Sequence, residues 1–372
     1  MTPLLGEPSI AQRILDHIDR ETTDISAASW REPVVNYRSE DRFQAELAKV
    51  FRRVPTPFCP SAALPQVGDF VARDAGQTPI LAVRGPDGTV RAFRNACRHR
   101  GAQVACGAGR VKAFVCPYHA WTYALDGALR HIPHDYGFPG VSKESHGLVP
   151  VETVEHSGLV FVRQDAGLAD EDPTCLPPLI PADYQLISIS EQETRANWKI
   201  VAEGFLEGYH IYPTHRETFY PVQFDNLNVI EHFGRNNRVT FPYRNVQKLR
   251  GLDPAQREVG GTVTFVYHLF PNVMIATFPQ RIVMAVLEPV SVELTRNVTY
   301  TLASAQSLAK DKPAVEGGID FVNAGAREDR AVVESIQAGL ASGANEVFEF
   351  GRFEGAIAHF HRNLHALIAD EA

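Results

Sequence analysis

An α+β protein in two successive parts, an antiparallel β domain followed by a domain of sheet and helices, is what this sequence predicts, and three observations carry the prediction. Its 372 residues, 44% apolar and 22% charged, suit a globular chain of two to three domains at about 150 residues each. From about Gly68 to Arg163 the chain breaks into short β-rich runs, and beyond residue 184 similar runs alternate with helical periodicity. Between them "DAGLADEDPTCLPPLIPADY", residues 165 to 184, is rich in proline and acid and lacks periodicity, which is the composition of an extended connection.

At the N-terminus "SIAQRILDHIDRE" places Ile10, Ile14, His17 and Ile18 at helical spacing, and "EDRFQAELAKVFRR" repeats the pattern with Phe43, Leu47, Val50 and Phe51. Residues 1–55 are therefore expected to form a helical segment packed on the second domain. The runs "DFVAR", "PILAVR", "TVRAFRN", "KAFVCPY" and "LVFVR", with turns "GPDG" and "LDGA", predict an antiparallel β domain over 56–165. A linker is expected over 166–184. Residues 185–372 then combine the strand-like "YQLISISEQETR", the helix-like "NWKIVAEGFLEGYH", β-rich runs such as "GTVTFVYHLF" and "RIVMAVLEPV", and terminal helices from about Arg327 and Arg352.

The formal charge of −8 and pI near 6.0 argue against a nucleic-acid partner, because phosphate-backbone binding needs clustered Lys and Arg. The opening "MTPLLGEPSIAQRILDHIDRE" carries acids and a proline where a signal peptide needs an apolar core, and no stretch approaches eighteen apolar residues. No membrane association and a cytoplasmic location are the expectation. Five cysteines, Cys59, Cys97, Cys106, Cys116 and Cys175, are too few and odd in number for a disulfide framework, so metal binding is the first reading.

Two patterns carry the chemistry. "CRHRG" and "CPYHAWTY" set out Cys97-x-His99, sixteen residues, then Cys116-x2-His119. Two thiolates and two imidazoles bind either one tetrahedral zinc or a [2Fe-2S] cluster, and the ligand count alone leaves both open. In "NWKIVAEGFLEGYHIYPTH" one helix is expected to carry Glu203, Glu207 and His210, with Glu207 and His210 on one face at i, i+3. Pro213 is expected to end that helix and turn His215 back toward His210. Two histidines and a carboxylate with open positions suit non-haem Fe(II). "AREDRAVVESIQAGL" offers Asp329, with Glu328 as runner-up, at the start of an amphipathic helix.

The paired loops closely resemble the Rieske iron-sulfur motif. Asn197-Trp198-Lys199, Glu203, Glu207, Tyr209-His210 and His215 resemble the iron motif of Rieske non-haem iron oxygenase catalytic (alpha) subunits, the aromatic-ring-hydroxylating dioxygenase family. The closing "REDRAVVESIQAGL" and "HFHRNL" extend the likeness over most of the chain. The resemblance implies an N-terminal Rieske domain and a helix-grip-like catalytic domain, an antiparallel sheet with helices. It implies that Cys97 and Cys116 hold one iron of the cluster, His99 and His119 the other, and that His210, His215 and Asp329 hold a mononuclear Fe(II). Glu207 stands where the family has a carboxylate, usually Asp, bridging a Rieske histidine of one subunit to an iron-ligand histidine of the next. Gly204 stands where many relatives carry Asn.

With no GxGxxG fingerprint in the chain, NAD(P)H is used indirectly, through a flavin reductase with or without a ferredoxin. The resemblance implies a head-to-tail homotrimer, since in that family one subunit's cluster lies near its neighbour's iron. The leading expectation is a terminal oxygenase that hydroxylates an aromatic or similar small organic substrate with O2. The alternative is a monooxygenase that demethylates at N or O, for instance of a quaternary amine or methoxy compound; a reading of another class is a non-catalytic electron carrier. Phe205, Leu206, Phe219 and Phe278 are candidates for the pocket wall.

Overall fold

The structure, a computed structural model, describes residues 3–166 and 172–369, with the backbone alone at 311–317 and 319. It separates into two compact units, residues 51–186 and residues 1–50 with 187–372. Residues 167–171 of the expected linker lie outside the described residues. No helix of the described residues is long and apolar enough to cross a membrane.

The 51–186 unit is built on antiparallel strands. Among the described residues its large sheet runs in the order Thr56–Pro60, Leu159–Arg163, Pro150–His156, Val90–Arg94, Thr78–Arg84, Asp69–Ala75 and Gly107–Arg110. The interior strand Thr78–Arg84 buries Ile80, Leu81, Ala82 and Val83 in succession, the pattern of a strand covered on both faces. A smaller sheet joins Phe114–Val115, Thr122–Tyr123 and Leu129–His131. Phe70, Leu81, Phe93, Phe114, Trp121 and Tyr123 form one apolar core, and Cys97 and Cys116 belong to it.

The other unit carries the helices. α1 (Glu7–Arg20) buries Ile10 and Ile14 fully against Leu227, Val229, Val246 and Val259; each such side chain contributes roughly 1.5–3 kcal/mol. α2 (Glu40–Glu46) starts at Ser39, whose side chain accepts from Arg42 N, a cap that satisfies one free helix donor. α3 (Trp198–Glu203) is capped likewise by Asn197. Trp198 Nε1 and Lys199 Nζ both donate to Glu46, the lysine at 2.9 Å from Oε1 with neither partner exposed. Removing either charge would strand the other, at about 3–5 kcal/mol.

α4 (Ile211–Thr214) follows after a break, then a meander of strands from Val229–Phe233 to Leu294–Ser304, each antiparallel to the last. Tyr184–Thr194 closes the far edge of that sheet beside Leu294–Ser304, and Trp30–Pro33 pairs separately with Val347–Phe350. α5 (Ala305–Leu340) packs on Leu294–Ser304 and on α3, and α6 (Gly355–Ala369) ends the described chain. The α+β class expected from the sequence is the class observed.

Two helical expectations are corrected. Residues 197–215 do not form one helix: α3 ends at Glu203 and α4 begins at Ile211. Gly208 sits in the break because a Cβ there would lie 2.5 Å from Asn228 Oδ1. Pro213 falls in the first turn of α4, where its missing amide hydrogen costs no helix bond. It therefore continues the turn rather than ending one. The helix bearing Glu328 and Asp329 starts at Ala305, not near Arg327, despite Pro313 and the neighbouring glycines 317 and 318, residues that disfavour helix interiors.

Candidate active site

In the β unit the two loops are built alike. Gly101 N donates to Cys97 O at 2.9 Å and Ala120 N to Cys116 O at 3.0 Å; Cys97 N donates to Ala102 O and Cys116 N to Trp121 O. Each turn needs a left-handed residue four positions after its cysteine, Gly101 at φ 82° and Ala120 at φ 57°. The second loop is the tip of the hairpin that pairs Phe114 with Tyr123. The thiols of Cys97 and Cys116 are buried, while His99 and His119 are half-buried with ring centroids 4.7 Å apart. Trp121 stacks on His99 at 5.0 Å. Tyr123 Oη lies 3.2 Å from Cys97 Sγ and accepts from Arg98 N.

These residues fit an iron-sulfur cluster. His99 Nδ1 and His119 Nδ1 are buried nitrogens without a hydrogen-bond partner, a state that costs about 1–3 kcal/mol each unless something ligates them. Burial, His119 and Arg100 hold His99 below the usual imidazole value, which keeps the neutral, metal-binding form. Burial and the Cys116 neighbour push the Cys97 thiol up, as expected of two sulfurs that share a site with no cation beside them. The other cysteines stand apart: Cys59 is buried, its thiol pushed up to about 12 by burial, and Cys106 and Cys175 are exposed.

In the other unit the break after α3 delivers the histidines. Glu207 Oε2 accepts from the backbone amides of Tyr209 and His210, and Glu207 Oε1 contacts His210 Nδ1. The i, i+3 contact thus forms in a turn rather than on a helix face. His210 and His215 have ring centroids 5.1 Å apart. Asp329 Oδ1 lies 2.9 Å from His215 Nε2 and 3.6 Å from His210 Nε2. Glu328 turns instead to the far side of His215, 2.8 Å from Nδ1, and accepts from Thr218 Oγ1. The ligand atoms of His210, His215 and Asp329 all lie within 4.8 Å of one another, a spacing that could hold a metal ion. Glu328, on the second nitrogen of His215, fixes which nitrogen faces inward.

A cavity of about 660 Å³ opens on these groups. Six phenylalanines line it, Phe205, Phe219, Phe241, Phe278, Phe348 and Phe350. Leu206, the remaining candidate, is fully buried core instead. Glu203, Glu207, Asp329, Glu349 and Glu354 also reach the wall, where among the described residues Arg330 is the only Arg or Lys. Glu354 was not found from the sequence. Burial, with Glu207 and Glu203 nearby, pushes its carboxyl up to about 7 against the Gly351 amide that it accepts from. Only its place two residues before "AIAHFHRNL" marked it, and that spacing names no chemistry.

The family model described as Ring hydroxylating alpha subunit (catalytic domain) matches residues 182–370, and the Rieske [2Fe-2S] domain model matches residues 54–142. A carnitine monooxygenase oxygenase subunit from Acinetobacter baumannii is 30% identical over 334 residues, 84% of this chain and 86% of that relative. Among solved structures, a quaternary ammonium Rieske monooxygenase shares the fold with a TM-score of 0.77 at 24% identity, over 91% of this chain and 95% of that one. Naphthalene 1,2-dioxygenase from a Rhodococcus species does so with a TM-score of 0.77 at 19% identity, over 98% of this chain and 99% of that one. Equal likeness to the two means that the fold does not choose between their reactions.

Proposed function

From the premise that this chain belongs to the catalytic alpha subunits of the Rieske non-haem iron oxygenases, we propose that it monooxygenates a small quaternary ammonium compound at a carbon bound to nitrogen. As a member it is an oxidoreductase that incorporates O2, and its cofactors are a Rieske [2Fe-2S] cluster and a mononuclear iron fed with electrons by a reductase. Ring hydroxylation, the leading expectation from the sequence, gives way to the demethylating alternative, which the carnitine-oxidising relative supports better.

The observation that carries the reading is the cavity wall. Six phenylalanines line the chamber beside one arginine, and of its five acids Asp329 goes to the iron, Glu207 to His210, Glu203 to Tyr37 and His361 and Glu349 to Arg31, which leaves Glu354. A quaternary ammonium head suits it, since cation–π contact gives about 0.5–2 kcal/mol per ring and Glu354 supplies the opposite charge. Glu354 is the acid with the most to gain, being buried with two acidic neighbours.

Cys97 and Cys116 would hold one iron of the cluster through sulfur, and His99 and His119 the other through Nδ1. His210, His215 and Asp329 would hold the mononuclear iron, with Glu328 orienting His215. When bound, that iron supplies the O2 activation that inserts one oxygen atom into a C–H bond. The surrounding phenylalanines exclude bulk water and seat the apolar methyls. With two electrons and two protons, O2 and one N-methyl group of the quaternary ammonium give an N-hydroxymethyl ammonium and water. The hydroxymethyl group then loses its O–H proton as the C–N bond breaks, leaving the tertiary amine, an aldehyde and a proton.

Glu207, in contact with His210 Nδ1, is the carboxylate through which electrons arrive from a neighbouring subunit's cluster in a head-to-tail homotrimer. The added methylene of Glu over Asp keeps the charge and lengthens the reach. A cytoplasmic NAD(P)H-dependent flavin reductase, with or without a ferredoxin, is the electron source.

The test is O2 uptake by the reconstituted enzyme with carnitine, glycine betaine and simple aromatic compounds in turn. Amine and aldehyde released in step with O2 uptake are the expected products; a phenol or ring diol in their place would sink the reading.

A further inference from the structure

We propose that His365, Glu32, His361 and Glu203, with Tyr37, form a proton relay from the exposed side of α6 to the cavity. It rests on the oxygenase reading in one respect, that each turnover consumes two protons inside an apolar chamber.

The groups come from four separate parts of one unit and meet in a chain. Glu203 lies on the cavity wall. Its Oε1 accepts from Tyr37 Oη at 2.7 Å and lies 2.8 Å from His361 Nε2. The opposite nitrogen, His361 Nδ1, lies 3.5 Å from Glu32 Oε2. Glu32 in turn sits 2.9 Å from His365 Nε2, and the His365 side chain is 36% exposed. His361 and Glu32 are themselves fully buried. Of the other charges nearby, Glu354 lies beside Glu203, and Lys199 and Glu46 are paired with each other.

A ring with one proton cannot serve both its neighbours. With the proton on Nε2, the ring donates to Glu203 and leaves Nδ1 a buried atom without a hydrogen-bond partner. A second proton on Nδ1 turns that contact with Glu32 into an ion pair. The imidazole therefore accepts a proton at Nδ1, from the Glu32 side, and releases one at Nε2 to Glu203, a transfer between its two nitrogens that changes no heavy-atom bond. His365 takes the replacement proton from water and hands it to Glu32.

Tyr37 keeps its own proton, its phenol raised well above the ordinary value by burial and by Glu203, and so holds Glu203 in place as a donor. The hydrogen bonds of His365, Asn36 and Trp30 hold Glu32 down to about 2 against its burial. Its protonated form is then a brief intermediate of the relay and not a resting state.

His365→Ala in the reconstituted holoenzyme is the first test. The relay requires iron content, cluster absorption and melting temperature like those of the parent, turnover at least about tenfold lower, a larger solvent isotope effect, and recovery on adding imidazole. Full turnover, or slow turnover that imidazole does not rescue in a less stable protein, overturns it. A second readout uses the resting holoenzyme without substrate: hydrogen–deuterium exchange at the His361 ring carbon follows its protonation. Glu32→Gln should slow that exchange at neutral pH, and an unchanged rate overturns the proposal. So does a third metal equivalent held by Glu32, His361 and His365, because the ion would occupy the lone pairs that carry the proton. The exchange and metal readouts stand whether or not the substrate is a quaternary amine.

Discussion

At the paired loops, His99 and His119 carry buried Nδ1 atoms that nothing among the described residues satisfies, whereas every ring nitrogen of His210 and His215 has a carboxylate within 3.6 Å. The difference follows from where each site finds its negative charge. At the loops a cluster would bring it as thiolate and sulfide, so any added carboxylate would deepen the charge. At the second site Asp329, Glu328 and Glu207 surround two imidazoles, which is the charge that a dication needs. The loops close within a short stretch of chain, while the second site draws on helices more than a hundred residues apart.

Substitutions that separate the two sites sharpen this contrast. The largest expected effect is that of Cys97→Ser: loss of the cluster's visible absorption and of all turnover, with iron still bound at His210 and His215. Loss of both irons would show that the sites are not independent. Asp329→Ala should do the converse, leaving cluster absorption intact while mononuclear iron is lost and turnover falls about 10³-fold, roughly 4 kcal/mol; metal analysis and the ferrous-nitrosyl signal check it. Glu207→Gln keeps its reach but loses its charge. Both metals should stay bound while reoxidation of the reduced cluster slows about a hundredfold, measured by stopped flow in single turnover, and an unchanged rate would remove Glu207 from the electron path.

A separate effect is on stability and belongs to the helical unit. Burial holds His268 down to about 4 and His359 to about 3, against about 6.5 for an unfolded imidazole. Between these values the unfolded chain binds protons that the folded one does not. Stability therefore falls as pH drops from about 6.5 toward 3 and levels off below, by about 3 kcal/mol for His268 alone. Urea melts at pH 7 and pH 4.5 measure the change. Cluster absorption should outlast the loss of helical signal at the lower pH.

Both sets of histidines were legible in the sequence because each lies within a few residues of its partner ligand: Cys97-x-His99, Cys116-x2-His119 and His210-x4-His215 fix separations that one turn or loop can close. The helix drawn through Glu207 was not, because periodicity does not register that Asn228 crowds Gly208. Glu354 and the Glu32–His361–Glu203 chain were also invisible, since their meaning lies in what they touch across more than 150 residues.

By itself, then, the sequence determined the order of the domains, the two candidate ligand sets and the chemistry that such donors favour, because these rest on local spacing and on donor type. The tertiary structure decided which acid meets the imidazoles. Glu328 and Asp329 are neighbours on α5, so their side chains diverge by about 100° around the helix axis. The rotation of α5, set by its packing on α3 and on the strand Leu294–Ser304, turns Asp329 to both Nε2 atoms and Glu328 to the back of His215.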